Sequence, residues 1–293
     1  MNSEWIARQK FYDRLMSKLF LGSAGMITMI ILAIIFFVGQ QGIQTFAEVS
    51  PAEFFFSSRW EPTEGQYGVF SFIFGTLAVT FLSVAVGAPL AIFCAIFISK
   101  VVPSRFQSTM KSIVSLYAAI PSVVYGFLGI TILIPWVRET FGVESGYGLF
   151  TASLILGVMI LPTIVNVSED ALQAVPKRLE EGSIALGATR WQTLWRVVLP
   201  AASPGIMTGV ILGMARAVGE TMAVQMVIGN AAQIPKSLFT SASTLPSEIV
   251  LEMGNTPFGT AWGNSLFLMA LVLLLLSLMM IIIIRRMVRR EAV

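Results

Sequence analysis

The stretch of sequence from residue 176 to residue 204 reads PKRLEEGSIALGATRWQTLWRVVLPAASP. Helix-forming residues fill positions 177–186, and Gly187 follows where a left-handed C-terminal cap is favoured. Thr189 and Gln192 have the spacing of a capping box, which marks the start of a second helix. The stretch therefore predicts a helix, a glycine bend and a second helix.

The second helix of this stretch carries regularly spaced apolar residues. Trp191, Leu194, Trp195 and Val198 recur at i, i+3, i+4 and i+7, which predicts one apolar stripe. Pro200 is expected to end the helix, because proline lacks an N–H and clashes with the preceding turn. Taken alone, the pattern fits a helical hairpin that lies on a membrane surface with its tryptophans in the interface.

The composition of the whole chain indicates an integral membrane protein. Of its 293 residues 56% are hydrophobic and only 12% are charged, whereas soluble domains carry about 25% charged residues. The chain has no histidine, a single cysteine (Cys94) and no phosphate-binding Gly-x-x-x-x-Gly-Lys-Ser/Thr loop. We therefore predict no catalytic, metal-binding or cofactor-binding residue in this chain, and a membrane enzyme fits it poorly.

Six apolar runs are long enough to cross a bilayer, which takes about 20 residues. The first is too long for the core of a signal peptide and is expected to stay in the protein as a span. The fifth is interrupted by two charged residues. The runs are residues 19–39, 69–99, 112–137, 145–168, about 205–231 and 254–284.

The basic residues of the connections predict the orientation of the spans. Fifteen of the nineteen Lys and Arg residues fall in the N-terminal segment, two alternate connections and the tail, and Arg216 lies inside a run. Because cytoplasmic loops are enriched in Lys and Arg, both termini are expected in the cytoplasm. This distribution explains the net charge of +3 without a nucleic-acid partner. The three on the opposite face are Arg59, Arg138 and Lys236.

The fifth run carries the two charged residues that most need an explanation. Arg216 lies about 16 Å along the helix axis from Gly205, close to the middle of a bilayer. Glu220 follows at i+4 and is expected on the same face, within reach of the guanidinium. Charges inside spans often mark substrate pathways, and a guanidinium suits tetrahedral oxyanions. A purely structural salt bridge is the alternative.

The segment between runs four and five resembles the EAA signature of binding-protein-dependent ABC importer permeases. That signature is Glu-Ala-Ala, three residues, Gly, nine residues, an aliphatic residue, one residue and Leu-Pro. The resemblance implies a coupling helix that docks in a groove of a cytoplasmic ATPase, with Trp191 beside it. The matching residues are Glu181, Gly187, Leu199 and Pro200, whereas Gly182 and Ser183 replace the alanines and Val197 replaces isoleucine.

The stretch GMARAVGETMAV at residues 213–224, followed by Ile-Gly-Asn, resembles the permeases of the bacterial phosphate-specific transport system, the PstC-type subunit more than the PstA-type. The resemblance implies an inner-membrane phosphate importer and a type I, MetI-like all-α fold. It also assigns Arg216 and Glu220 to the substrate pathway. The implied partners are a PstA-type permease, an ATPase dimer that binds ATP and Mg²⁺, and a periplasmic phosphate-binding protein.

The same resemblance divides the chain. Residues 1–68 are expected to hold the N-terminal segment, one extra span and a periplasmic loop, residues 69–284 the transporter domain, and residues 285–293 a basic tail. A permease for sulfate or molybdate is the nearest alternative. An ion-coupled secondary transporter would also explain the spans and charges, but it would not need the EAA-like segment.

Overall fold

The computed structural model describes residues 3–291, with side chains from residue 12 to residue 286. The described part is almost entirely helical, with a single two-stranded hairpin in which Trp60 pairs with Tyr67. The elements are α1 (Ser3–Ile43), α2 (Pro51–Phe56), β1 (Trp60–Glu61), β2 (Gln66–Tyr67), α3 (Phe70–Ile96), α4 (Ser104–Ala118), α5 (Ser122–Leu128), α6 (Ile134–Phe141), α7 (Leu149–Gln173), α8 (Lys177–Ala185), α9 (Arg190–Thr193), α10 (Leu199–Val218), α11 (Met222–Ile228), α12 (Leu245–Met253) and α13 (Ala261–Glu291).

Six helical segments within the described residues are long and apolar enough to cross a membrane, which confirms the predicted number of spans and the all-α class. Three of them join two or more elements through a π turn, a widened helical turn. We number them spans 1 to 6: Tyr12–Ala47, Phe70–Val101, Ser122–Phe141, Leu149–Gln173, Arg190–Val218 and Ala261–Arg286.

Span 3 differs from its predicted position at residues 112–137. The helix breaks after Ala118, and a new one begins at Ser122. The cause is Pro121, which disfavours helical backbone angles at the residue before it. The segment before the break forms the separate helix α4, and span 3 extends to Phe141 instead.

Span 5 was expected at about residues 205–231 but runs from Arg190 to Val218. The helix does not end at Pro200, because the π turn Leu194–Val198 precedes the proline and the Leu199 N–H bonds to the carbonyl of Leu194. The predicted helix after the glycine bend is thus the first part of a spanning helix.

The core is built around α7, which lies between α3 and α10. The small residues of α10 let the two backbones approach closely: a Cβ on Gly213 would lie 2.6 Å from Cγ1 of Ile164. A glycine at such a contact is the usual device for close packing of membrane helices. Helix α1, by contrast, lies outside this core and packs on α13, with the Phe37 and Phe267 ring centroids 5.8 Å apart.

A second core lies where α2, the β-hairpin, α12 and the start of α13 meet. Phe54 and Trp60 are buried here, although they lie in the segment between spans 1 and 2 where aromatic rings often face the lipid interface, and of Phe54, Phe55 and Phe56 only Phe56 is well exposed. The Trp60 ring packs edge-on against Phe72. This end of the bundle is therefore a folded cap over the spans.

Candidate functional site

Arg216 lies in span 5, half-buried where α10 packs on α7. Its Nη1 donates a hydrogen bond to the Thr163 hydroxyl of span 4 at 3.3 Å. Among the described residues no carboxylate lies within 4.0 Å of the guanidinium. A guanidinium has five N–H donors, and none of those of Arg216 has an acidic partner in the part of the chain whose side chains are described.

Glu220 does not pair with Arg216, contrary to the expectation from their spacing. Helix α10 ends at Val218, so the i, i+4 relationship of a continuous helix no longer holds at Glu220. The Glu220 carboxylate instead accepts a long hydrogen bond, 3.5 Å, from the Ala223 N–H at the start of α11. Arg216 and Glu220 therefore lie on opposite sides of a helix break.

Glu220 lines a small cavity together with three hydroxyl groups, those of Thr76, Thr80 and Thr244. The Thr76 hydroxyl also accepts a hydrogen bond from the Leu245 N–H at 2.9 Å and so ties span 2 to the start of α12. The rest of the cavity lining is apolar, so the helix break beside Glu220 lies against three threonines set among apolar side chains.

Helix α12 contributes two carboxyl groups that sequence reasoning missed. Glu252 accepts hydrogen bonds from the indole N–H groups of Trp60, at 2.9 Å, and Trp262, at 2.7 Å. Glu248 lies one turn earlier, is nearly fully buried and accepts a hydrogen bond from the Ser243 hydroxyl at 2.7 Å. Burial, and next the neighbouring Glu252, raise the pKa of Glu248 to about 7, while the Ser243 hydrogen bond opposes the shift.

The predicted helix, glycine bend and capping box at 177–192 are all present. Gly187 has φ +88°, its N–H bonds to the Ile184 carbonyl and the next N–H bonds to the Ser183 carbonyl, which together form a Schellman cap. Thr189 and Gln192 form both hydrogen bonds of the capping box. We call residues 177–193 the coupling hairpin, after the role that the resemblance to the EAA signature implies for them.

The predicted single apolar stripe is split in two. Leu194 and Val198 are buried, whereas Trp191 and Trp195 are 65% and 44% exposed, with their rings packed edge-on. The tip of the hairpin is also apolar, because Leu186 is 91% exposed beside the glycine cap. Exposed apolar side chains of this kind fit either a protein partner or a lipid interface.

The remaining residues of the EAA-like segment fall on both faces of this region. Glu181 is exposed on α8 and lines a cleft, Leu199 is half-buried at the start of α10, and Pro200 is exposed. The Ser183 and Thr193 hydroxyls lie 3.0 Å apart and join the two arms of the hairpin. The geometry therefore brings Glu181, Gly187 and Trp191 to one hairpin and leaves the Leu-Pro pair in span 5.

Two ion-pair sites at this end of the bundle had no signal in the sequence. The Lys111 ammonium of α4 lies 2.6 Å from a carboxylate oxygen of Glu169 and 2.6 Å from one of Asp170, both in span 4. The hydrogen bond to Asp170 and then the one to Glu169 raise the pKa of Lys111. Lys100, at the end of span 2, pairs with Glu180 of α8. Each pair joins residues more than fifty positions apart, so spacing along the chain could not reveal it.

No cluster of three or more potential metal ligands occurs between residues 12 and 286. The polar groups described above are instead spread along the spans and at their two ends. This arrangement suits a path across a membrane with a docking element at one end.

Comparison with known proteins identifies the family. Residues 87–293 match the family described as binding-protein-dependent transport system inner membrane component. The probable ABC transporter permease protein YqgH of Bacillus subtilis is 49% identical over 82% of this chain and 79% of its own length. The phosphate transport system permease protein PstC of Pasteurella multocida is 36% identical over 68% of each chain.

The fold has a solved counterpart in a bacterial ABC transporter involved in the import of alginate. A chain of that structure has a TM-score of 0.63 and 18% identity, over 96% of this chain and 99% of that one. At this level of identity the likeness concerns the fold alone, and it confirms the ABC importer permease fold. This chain belongs to the family of binding-protein-dependent transport system inner membrane components, and it is a membrane transport subunit rather than an enzyme.

Proposed function

We propose that this chain is a permease subunit of an ATP-driven importer of inorganic phosphate. The similarity to PstC of Pasteurella multocida, 36% identical over two thirds of each chain, supports phosphate as the substrate. The family supports a position in the inner membrane, where a binding protein delivers the substrate and an ATPase drives its passage.

The observation that carries the proposal is the state of Arg216. A half-buried guanidinium inside a span, anchored by the Thr163 hydroxyl at 3.3 Å and free of any carboxylate within 4.0 Å among the described residues, has donors left for an anion. Phosphate offers tetrahedral oxygens that a guanidinium binds with two parallel hydrogen bonds. Because the charge of arginine does not titrate, such a site attracts the anion at any physiological pH.

Glu220 is the second pathway residue of the proposal. It lies past the end of α10, in the break Gly219–Thr221 that separates α10 from α11. The break directly follows the end of span 5, and interrupted helices of this kind form substrate sites in many transporters. We assign Glu220 to a later conformation in which the break closes and the carboxylate meets the guanidinium after the anion has left.

The coupling hairpin is the proposed contact with the ATPase. Its exposed apolar residues Leu186, at the tip, and Trp191, together with Trp195 in the π turn that follows, would fill a groove on that partner. Gly187 closes the tip with its Schellman cap, Glu181 lies exposed on α8, and Leu199-Pro200 lie in span 5 at the start of α10. A stiff hairpin of this kind transmits rigid-body movement into the spans.

The partners follow from the same proposal. A second, PstA-type permease would close the path against the exposed faces of the spans, and two ATPase subunits would bind ATP and Mg²⁺, for which this chain has no phosphate-binding loop. A periplasmic phosphate-binding protein would dock on the folded cap at the other end. Both termini and the coupling hairpin would then lie in the cytoplasm, as the Lys and Arg distribution favours, with lipid around α1.

The anion is tested by uptake of labelled phosphate in cells that lack their own phosphate importers and carry this chain with its genomic neighbours. We expect energy-dependent uptake that unlabelled arsenate inhibits and sulfate or molybdate does not. Uptake of sulfate or molybdate instead would change the assigned substrate, but the chain would still be assigned to an ATP-driven importer. Phosphate uptake that follows an ion gradient and ignores ATP would overturn the proposal.

A further inference from the structure

Helix α8 of the coupling hairpin is weakly attached to the bundle. None of its residues is buried, and it packs on α9 and on the π turn Leu194–Val198 of span 5, with the Ser183 and Thr193 hydroxyls 3.0 Å apart. Within the described residues, its one ion pair to a membrane span joins Glu180 to Lys100. Movement of α8 therefore passes directly to span 5, whereas this ion pair is the bond that carries it to span 2.

Lys100 stands at the end of a well-anchored helix. It lies in the π turn Phe97–Val101 that completes span 2, and the preceding residues Ala91 and Ala95 are fully buried against the core. Span 2 packs along most of its length on span 4, the most buried span of the bundle. A displacement of Lys100 is therefore transmitted along the helix of span 2 to its contact with span 4 in the core.

The space around the ion pair is open on both sides. One cleft of about 370 Å³ is lined by apolar residues such as Ile96 and Leu194, together with Lys100 and Glu180. A second cleft of about 530 Å³ contains the same two charged residues and Glu181. Because side-chain packing is missing on either side, the charge pair is the main bridge between α8 and span 2.

The two charged side chains are partly buried, so that solvent weakens their attraction less than it would at an exposed site. The Lys100 and Glu180 side chains are only 22% and 29% exposed. Fully exposed ion pairs contribute little, but partly buried pairs are less screened by salt and water. The neighbouring cation Arg105 is exposed and stacks on the ring of Phe106, with its Cζ 4.7 Å from the centroid, so it offers a matched residue without this role.

We propose that Lys100 and Glu180 form a positioning pair that transmits movement of the coupling hairpin to span 2, so that ATP binding and hydrolysis by the partner switch the opening of the path. The inference rests on the proposed function, since it concerns how an ATPase would drive this permease. It adds a second route of coupling, through span 2, to the direct continuation of the hairpin into span 5.

The test is the number of substrate anions transported per ATP hydrolysed, measured with the complete purified complex in liposomes. Lys100→Gln and Glu180→Gln should each lower this ratio at least about five-fold, the lower end of typical coupling energies, while the ATPase stays bound. Lys100→Arg should keep the ratio, and the exchange of charges in the double variant Lys100→Glu/Glu180→Lys should restore most of it. Arg105→Gln should leave it unchanged.

An unchanged ratio in Lys100→Gln would overturn the inference. Loss of the ATPase from both single variants without rescue by the charge exchange would also overturn it, because the pair would then serve docking or folding. If the wild-type complex moves a different anion, the ratio is measured with that anion. A wrong substrate would thus be distinguished from a wrong route of coupling.

Discussion

The Arg216 guanidinium donates a hydrogen bond to the Thr163 hydroxyl across the contact of spans 5 and 4, at 3.3 Å. This relationship replaces the pair with Glu220 that the spacing suggested. A neutral hydroxyl orients the guanidinium without neutralising it, whereas a carboxylate would occupy the donors that an anion needs. The structure thus keeps a positive charge available inside span 5, two residues before the end of that span at Val218 rather than near its middle as the predicted run suggested.

Thr163→Val tests this anchoring. Valine has the shape of threonine without the hydroxyl, and hydrogen bonds to charged groups are worth about 1.5–3 kcal/mol, so we expect phosphate uptake at low concentration to fall roughly ten-fold. Initial uptake rates over a range of phosphate concentrations measure the effect. The control is Thr208→Val, because the Thr208 hydroxyl bonds only to its own helix, at Pro204. Equal uptake by Thr163→Val and wild type would contradict the anchoring role.

Gly187→Val should uncouple the transporter. Gly187 has φ +88°, which a β-branched residue adopts only with strain, so the Schellman cap and the hairpin tip should distort. We expect the ATPase to detach or to hydrolyse ATP without transport, as measured by copurification and by hydrolysis in liposomes. Gly182→Ala is the control, since a Cβ there meets nothing within 4 Å. Normal copurification and normal coupled hydrolysis in Gly187→Val would refute this role.

Gly75→Ala should destabilise the folded cap. A Cβ on Gly75 would lie 2.1 Å from the Ser243 carbonyl oxygen, so span 2 would have to move away from the segment that leads into α12. Overpacking of this kind costs about 1–3 kcal/mol. We expect a lower unfolding temperature in detergent than for the wild type or for Gly254→Ala, where the added Cβ would meet nothing within 4 Å. An unfolding temperature equal to the wild type would contradict this packing.

Glu248 should make the stability of the protein depend on pH. Its pKa is raised from 4.5 to about 7 in the folded state, so the folded protein holds this proton at pH values where the unfolded chain has released it. Stability therefore falls as the pH rises from about 4.5 to about 7, by on the order of 3 kcal/mol, and the contribution is fully present only below pH 4.5.

Glu248→Gln checks this prediction, because glutamine resembles the protonated carboxyl and does not titrate. The unfolding temperature of the wild type should be higher at pH 5 than at pH 8, and the difference should shrink in the variant. Glu53→Gln serves as the control, since Glu53 is exposed on α2. The same pH dependence in Glu248→Gln and wild type would assign the effect to other groups.

The features that were predictable from the sequence are those encoded by neighbouring residues. The six spans follow from apolar runs, and the Gly187 cap and the Thr189 capping box follow from contacts of three to five residues. The close approach of α10 to α7 likewise depends on small residues at every fourth position of α10, which are Gly205, Gly209, Gly213 and Ala217. In each case the local sequence and the final packing favour the same conformation.

The errors arose where a break or a contact between distant segments decides the geometry. Pro121 ended a helix that hydropathy alone extended, and the π turn before Pro200 carried a helix past a residue expected to stop it. Hydropathy and residue spacing carry no information on which backbone groups bond to each other, so they could not predict the changed bounds of spans 3 and 5. The bond of Arg216 to Thr163 and the pair of Lys100 with Glu180 depend on tertiary structure in the same way.

The central claim is that ATP-driven phosphate import passes Arg216. The most direct measurement is ATP-dependent uptake of labelled phosphate by the purified complex in liposomes, with wild type and Arg216→Gln compared side by side. We predict that wild type accumulates phosphate only with ATP and that Arg216→Gln does not, although its partner subunits still copurify. Normal uptake by the assembled Arg216→Gln complex would contradict the account.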